Sequence, residues 1–249
     1  MADVSTAQLR EATDAIAGLI DNRLPLQMPP ADMWQAVAHG FLARGGTLLE
    51  SVTLQVEQGM PGEAQMLLRI LFEHVATFCW IGIDPGANIP QWREWGEYRS
   101  YQIHKHAKKR FGIERLTPAK AAKAEKAMQP IKLHELTSAV DEHWSEVSPA
   151  FRSYDPAEPD ILTFIGVYTA LYSKTSNLVH ADPTSVERFM TMPLPAEATI
   201  HAREKHSESK DIPATGLAMM GFLLVVFEHH FSWPARDVTD GVTKGLIPD

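Results

Sequence analysis

Twenty consecutive residues, Glu63 to Gly82, hold no proline and no glycine before the last position, and apolar side chains fall on nearly every face of the helix they form. At 1.5 Å per residue such a helix is roughly 30 Å long, enough to cross the core of a small domain. The rest of the chain has to surround it. Three polar residues interrupt the apolar surface: Arg69 and Glu73 stand i,i+4, and Thr77 continues the same face. Buried charges need partners, because an unpaired one is strongly destabilising. Two readings are open. Arg69 and Glu73 form a structural ion pair or Arg69 ties this helix to a neighbour, or the two make the polar floor of a cleft that another helix completes.

Segments bounded by proline, without regular Val/Ile/Thr alternation, favour helices over a sheet. The expected fold is all-α, a single multi-helix bundle built around long antiparallel helices. A length of 249 residues is ample for its core. Helices are expected over 3–24, 31–58, 63–82, 90–111, 118–128, 131–147, 160–180 and 215–231, with a shorter one over 184–192. Gly45-Gly46 either bends the second of these or permits close packing. Gly82 to Pro90 reads as a stop, and Asp160 as a cap for 160–180. No internal repeat or linker divides the chain, so one domain spans 1–249. Within it, 1–30 is an N-terminal helix and connector, 31–192 the principal core, 193–211 a polar connector, and 212–249 a C-terminal helix and tail.

The formal net charge is −8, which argues against general coating of nucleic acid but leaves room for a local basic patch. Lys105, Lys108, Lys109 and Arg110 form such a patch at one helix end, where they also complement the helix dipole. The single cysteine, Cys79, sits among apolar residues and reads as a small buried hydrophobe. The N-terminus has no basic, apolar leader, so a soluble cytoplasmic protein without a membrane span is expected. No cofactor or metal is expected. His104 and His106 diverge on a helix, Glu228-His229-His230 is not chelating by itself, and no His-Glu-x-x-His occurs.

A second polar face lies on 160–180. Tyr172, Ser176 and His180 are spaced i,i+4,i+8, and Lys174, Asn177 and His180 are spaced i,i+3,i+6. Together with Leu68-Arg69-Ile70-Leu71-Phe72-Glu73, the run Tyr172 to His180 resembles DUF5677, a bacterial domain family of unknown function, over much of 40–185. The chain also resembles, more weakly, the HEPN superfamily of helical bundles, which includes ribonucleases. That motif has an arginine, a polar residue and, a turn or two later, a histidine. Lys174-Thr175 and His180 stand in those places, lysine replacing the arginine fork.

Two functions are therefore carried forward. The first is a helical ligand-binding or assembly module, regulatory or defence-related, with Trp92, Trp95 and the basic 105–110 segment available to a protein or a small anionic partner. The second, implied by the HEPN resemblance, is metal-independent RNA cleavage. There His180 transfers a proton, Lys174 and Arg69 stabilise phosphate charge, Glu73 orients a basic side chain, and Tyr172, Ser176 and Asn177 help to bind the substrate. A homodimer pairing the two His180-bearing helices would hold phosphate between copies.

Overall fold

The computed structural model describes residues 4–22, 24, 32–148, 163–179, 190–191, 199–200 and 211–231, with 173–179 as helix path alone. It is an all-α bundle. Its helices are α1 Thr6–Asp21, α2 Met33–Glu57, α3 Pro61–Ile83, α4 Pro85–Phe111, α5 Pro118–Glu125, α6 Leu133–Val147, α7 Phe164–Val179 and α8 Asp211–Phe231. A two-residue antiparallel pairing, β1 Met190–Thr191 with β2 Thr199–Ile200, joins two short pieces between α7 and α8. Residues 190–191 are thus extended where a helix over 184–192 is expected, and the remainder of that expected helix lies outside the described residues.

The centre of the bundle is α3, which packs against α2, α4, α6, α7 and α8. Leu68, Leu71, Phe72, Val75, Phe78, Cys79 and Ile81 are buried on its several faces. Both α3 and α8 have the length and hydropathy of a membrane span, but 83% of the apolar window of α8 and 56% of that of α3 is buried within the bundle. That covering is what core helices of a bundle show.

Glycines set two of the close approaches. A Cβ at Gly46 would lie 2.4 Å from Ile20 Cδ1, so α1 can lie against α2 there, and α2 runs unbroken through the Gly45-Gly46 pair. A Cβ at Gly82 would lie 2.8 Å from Val226 Cγ1 and 3.2 Å from the Trp144 ring, which lets α6 and α8 close on the end of α3.

The start of α4 differs from expectation. It begins at Pro85, with the Asp84 side chain accepting from Ala87 N at 3.0 Å, and Pro90 falls inside the helix. Proline suits the first helical position because its missing N–H would have had no partner there. Pro90 removes one further donor, the partner of Gly86 O, and Gly86 leaves room for the capping carboxylate, since a Cβ there would lie 3.3 Å from Asp84 Oδ1. The effect is to add more than a turn to the helix that carries Trp92 and Trp95.

The beginning of α7 is held from outside. Asp141 of α6 accepts from Phe164 N at 2.8 Å and from Ile165 N at 2.9 Å, while Thr163 Oγ1 accepts from Gly166 N at 3.0 Å. These bonds satisfy N–H groups that the helix itself leaves unpaired. The expected cap, Asp160, lies outside the described residues; Thr163 and Asp141 perform that role at the observed start. Since Asp141 is on α6, its carboxylate fixes where α7 enters the bundle, and so where Tyr172 meets α3.

Candidate functional site

The face of α3 that carries Arg69, Glu73 and Thr77 meets Tyr172 of α7. Arg69 Nε is 3.4 Å from Glu73 Oε1, and Tyr172 donates its hydroxyl to that same oxygen in a short hydrogen bond. The Arg69 guanidinium carbon lies 3.9 Å above the Tyr172 ring, a cation–π placement. Thr77 Oγ1 turns back to donate to Glu73 O at 2.7 Å, so its hydroxyl serves the helix backbone. Burial, and then the hydrogen bond to the Glu73 carboxylate, pushes the Tyr172 phenol up to about 12. At neutral pH it is a fixed donor.

The Glu73 side chain is 46% exposed and that of Arg69 23%, so the ion pair forms but is only partly buried, and Arg69 also ties α3 to α7 through the Tyr172 ring. The carboxylate faces a cleft of about 1050 Å³ that both Glu73 and Tyr172 help to line. Its opposite wall is α4. Trp92, Trp95, Gly96, Arg99 and Ser100 follow one another at i, i+3, i+4, i+7 and i+8, a single helical face. Gly96 leaves open space in that wall, for a Cβ there would meet nothing within 4 Å. Trp95 is anchored by stacking on Trp80 at 4.8 Å, and Trp92 leans on Phe41 at 5.5 Å.

Lys120 and Lys123 of α5 close one side of the cleft, and Ile131, Leu133 and Leu136 form its apolar base. Two bonds hold α5 to α4, Lys123 Nζ to Glu97 Oε1 at 2.8 Å and Tyr101 OH to Glu125 Oε1 at 2.6 Å. The connector between them is fastened by His104, whose Nδ1 accepts from Arg115 N at 3.2 Å and Leu116 N at 3.1 Å. Replacing His104 with alanine strips two backbone donors of their acceptor and is expected to lower stability by about 1–3 kcal/mol, read from urea unfolding. A loss below about 0.5 kcal/mol would show that the connector holds without it.

Six charged side chains line the cleft: Arg93, Arg99, Lys120, Lys123, Glu73 and Glu97. Lys123 pairs with Glu97, and Glu73 is held by Arg69 and Tyr172. Arg93, Arg99 and Lys120 carry no ion pair among the described residues, so the lining has an excess of positive charge. Trp95 Nε1 is a further buried donor with no hydrogen-bond partner among them. No histidine or cysteine is among the lining residues described, and the carboxylates there are Glu73 and Glu97.

The sequence-derived site residues therefore separate into two groups. Glu73, Tyr172, Trp92 and Trp95 line one cleft, with Arg69 behind Glu73 and Tyr172. Lys174, Ser176 and Asn177 lie on the last turns of α7, where the helix path alone is described, and His180 lies outside the described residues. Arg93, Arg99 and Lys120 were not singled out by sequence reasoning. The signal for Arg99 was the stripe from Trp92 to Ser100; Lys120 joins only through the packing of α5 on α4.

Four of the described histidines, His74, His143, His229 and His230, pack or bond elsewhere. His74 Nε2 bonds Phe41 O at 2.8 Å with its ring stacked on Phe41, and burial depresses its pKa to about 4. His230 Nε2 bonds Gly82 O at 2.8 Å, and the rings of His143 and His229 meet the Trp144 ring edge-on. Among the described residues no group of three or more His, Cys, Asp or Glu side chains converges to hold a metal ion.

In comparison with protein families, residues 35–195 match the model of a family of unknown function, DUF5677. Comparison with curated proteins and with solved structures finds no match.

Proposed function

This chain belongs to the DUF5677 family, whose function is unknown, and we propose that it is a helical ligand-binding domain whose cleft between α3 and α4–α6 takes a small anionic ligand. The observation that carries this reading is the set Arg93, Arg99 and Lys120, unpaired among the described residues and lining one cavity beside two tryptophans. A volume of about 1050 Å³ suits a ligand of nucleotide size. Its phosphate or carboxylate groups pair with Arg99 and Lys120, and its flat apolar part lies on Trp92 and Ile131. Trp95 Nε1 supplies a donor to any acceptor that reaches it. Glu73, held by Tyr172 and Arg69, presents a carboxylate that accepts a ligand hydroxyl or amine and repels a second anionic group, which orients the ligand in the cleft.

The test is thermal unfolding with pyrophosphate, citrate and ATP, each at millimolar concentration. At least one is expected to raise the Tm by several degrees, since saturation at 100 times Kd adds about 2.7 kcal/mol. Changing both Arg99 and Lys120 to alanine is expected to weaken that ligand at least tenfold, with no loss of unliganded stability because both side chains face the cleft. No shift with any of the three, or an equal shift in the double variant, would sink the reading.

A further inference from the structure

Away from the cleft, the end of α4 carries a second, shallower groove of about 570 Å³, lined by Ile103, Ala107, Phe111 and Ile113 with Gln102, His106 and Arg115 at its margin. The local fold explains how it forms. Gly112 takes a left-handed conformation at φ 67°, its N–H returning to Lys108 O at 3.1 Å, and Ile113 N returns to Ala107 O at 3.3 Å. The chain is thereby turned back over the last helical turn, a conformation glycine adopts without steric cost. Such a turn commonly buries an apolar contact between the residues it joins. Here it does not: Ile103 is 53% exposed, Phe111 73% and Ile113 55%.

The groove lies at a strongly basic helix end. Arg115 lines it, and Lys105, Lys108, Lys109 and Arg110 are exposed on the same last two turns of α4, against one carboxylate in 101–115, Glu114, which pairs with Lys108 at 2.7 Å. Lys105, Lys109, Arg110 and Arg115 have no ion pair among the described residues, in a chain whose formal net charge is −8. The helix dipole accounts for bases at this end but not for three large apolar side chains standing open among them.

We propose that this groove is a docking site for an acidic peptide segment of a partner protein, which places one large apolar side chain between Ile103, Phe111 and Ile113 and pairs its flanking carboxylates with Arg115, Lys109 and Arg110. Charge complementarity selects an acidic occupant, and the concave apolar floor selects one with a side chain to insert. RNA would meet the bases and could stack on Phe111, but it would leave the aliphatic floor of Ile103, Ala107 and Ile113 without an apolar group to cover it, so the peptide is favoured and RNA is an outcome of the test. The proposal is independent of the cleft.

The experiment is selection of random twelve-residue peptides on the whole chain, followed by fluorescence anisotropy of the enriched peptides. The expected result is enrichment of sequences with Asp or Glu flanking Phe, Leu or Trp. Their affinity should fall at least tenfold with Phe111→Asp, and also with Lys109→Glu combined with Arg110→Glu. Because these positions are solvent-facing, the variants are expected to keep the wild-type Tm, and ligand-induced shifts at the cleft should be unchanged in them. The proposal is overturned if no acidic peptide is enriched, or if the enriched peptides bind both variants as they bind the parent. It is equally overturned if Phe111→Asp instead abolishes association of the chain with itself, with phosphatidylserine vesicles or with single-stranded RNA while peptide binding is untouched.

Discussion

Trp144→Ala is expected to destabilise the protein by about 3–5 kcal/mol, a large part of the total stability of an ordinary domain. The Trp144 side chain is wholly buried where α6 and α8 close on the end of α3. Its Nε1 donates to Cys79 O at 3.0 Å, and its ring meets His229 and His230 of α8 at 5.4 and 6.1 Å. Helix ends leave their last carbonyls without intrahelical partners, and three near the end of α3 are satisfied by side chains from three different elements. Cys79 O takes Trp144, Trp80 O takes Asn88 Nδ2 at 2.8 Å, and Gly82 O takes His230 Nε2 at 2.8 Å.

Alanine at 144 therefore opens a cavity and removes the indole donor together. Trp144→Phe separates the two effects: it keeps most of the packing and loses the donor, so a smaller cost of about 1–2 kcal/mol is expected. Urea unfolding of both variants measures the difference. An alanine variant less than about 1 kcal/mol below the parent would show that the junction of α3, α6 and α8 repacks without the indole.

The long elements were legible because proline and apolar spacing announce them. Pro61 and Pro118 stand at the first positions of α3 and α5, and the unbroken apolar surface of α3 marked it as the helix around which the others pack. The misjudged start of α4 has a specific cause. Pro90 resembles a stop from sequence alone, while the Asp84 cap that starts the helix more than a turn earlier, with Gly86 leaving room for its carboxylate, acts only once the helix has begun.

Tertiary caps were not legible at all. Nothing near Asp141 in sequence says that its carboxylate closes the start of a helix that begins 23 residues later. The candidate cleft was half legible on the same grounds. Glu73, Tyr172, Trp92 and Trp95 stand out by residue type within a helical pattern, whereas Lys120 sits on a short helix whose place depends on the Lys123–Glu97 and Tyr101–Glu125 bonds. Long-range bonds of this kind have no local periodicity to betray them.

Acidification from pH 6.5 to 4 is expected to change the stability of the parent protein little, yet to tilt two single variants in opposite directions. Burial raises the Asp141 carboxyl from 3.8 to about 6, outweighing the two backbone N–H groups that favour its charged form. Between those values the folded protein holds more protons than the unfolded chain, so this group adds stability as the pH falls. His74 does the reverse. Its pKa drops from 6.5 to about 4, so the unfolded chain takes the proton first, and the stability present above 6.5 is lost as the pH falls towards 4.

At 1.36 kcal/mol per pKa unit each contribution is on the order of 3 kcal/mol, and the two oppose one another across most of the same interval. His230, also depressed by burial, adds to the direction of His74, while the lowered carboxyls of the surface residues Glu57 and Glu114 act below their ordinary value of 4.5. Asp141→Asn leaves the histidine term alone, so its stability should fall steadily on acidification. His74→Gln, which keeps a donor for Phe41 O, should instead gain stability towards pH 4. Urea midpoints at half-unit pH intervals give both slopes, and the slope rather than the absolute stability is the readout, since each change also alters a hydrogen bond. Parallel profiles for the two variants would mean that neither side chain is the group that titrates. Opposite slopes would assign the two opposing titrations to Asp141, the carboxylate that caps α7, and to His74 of α3.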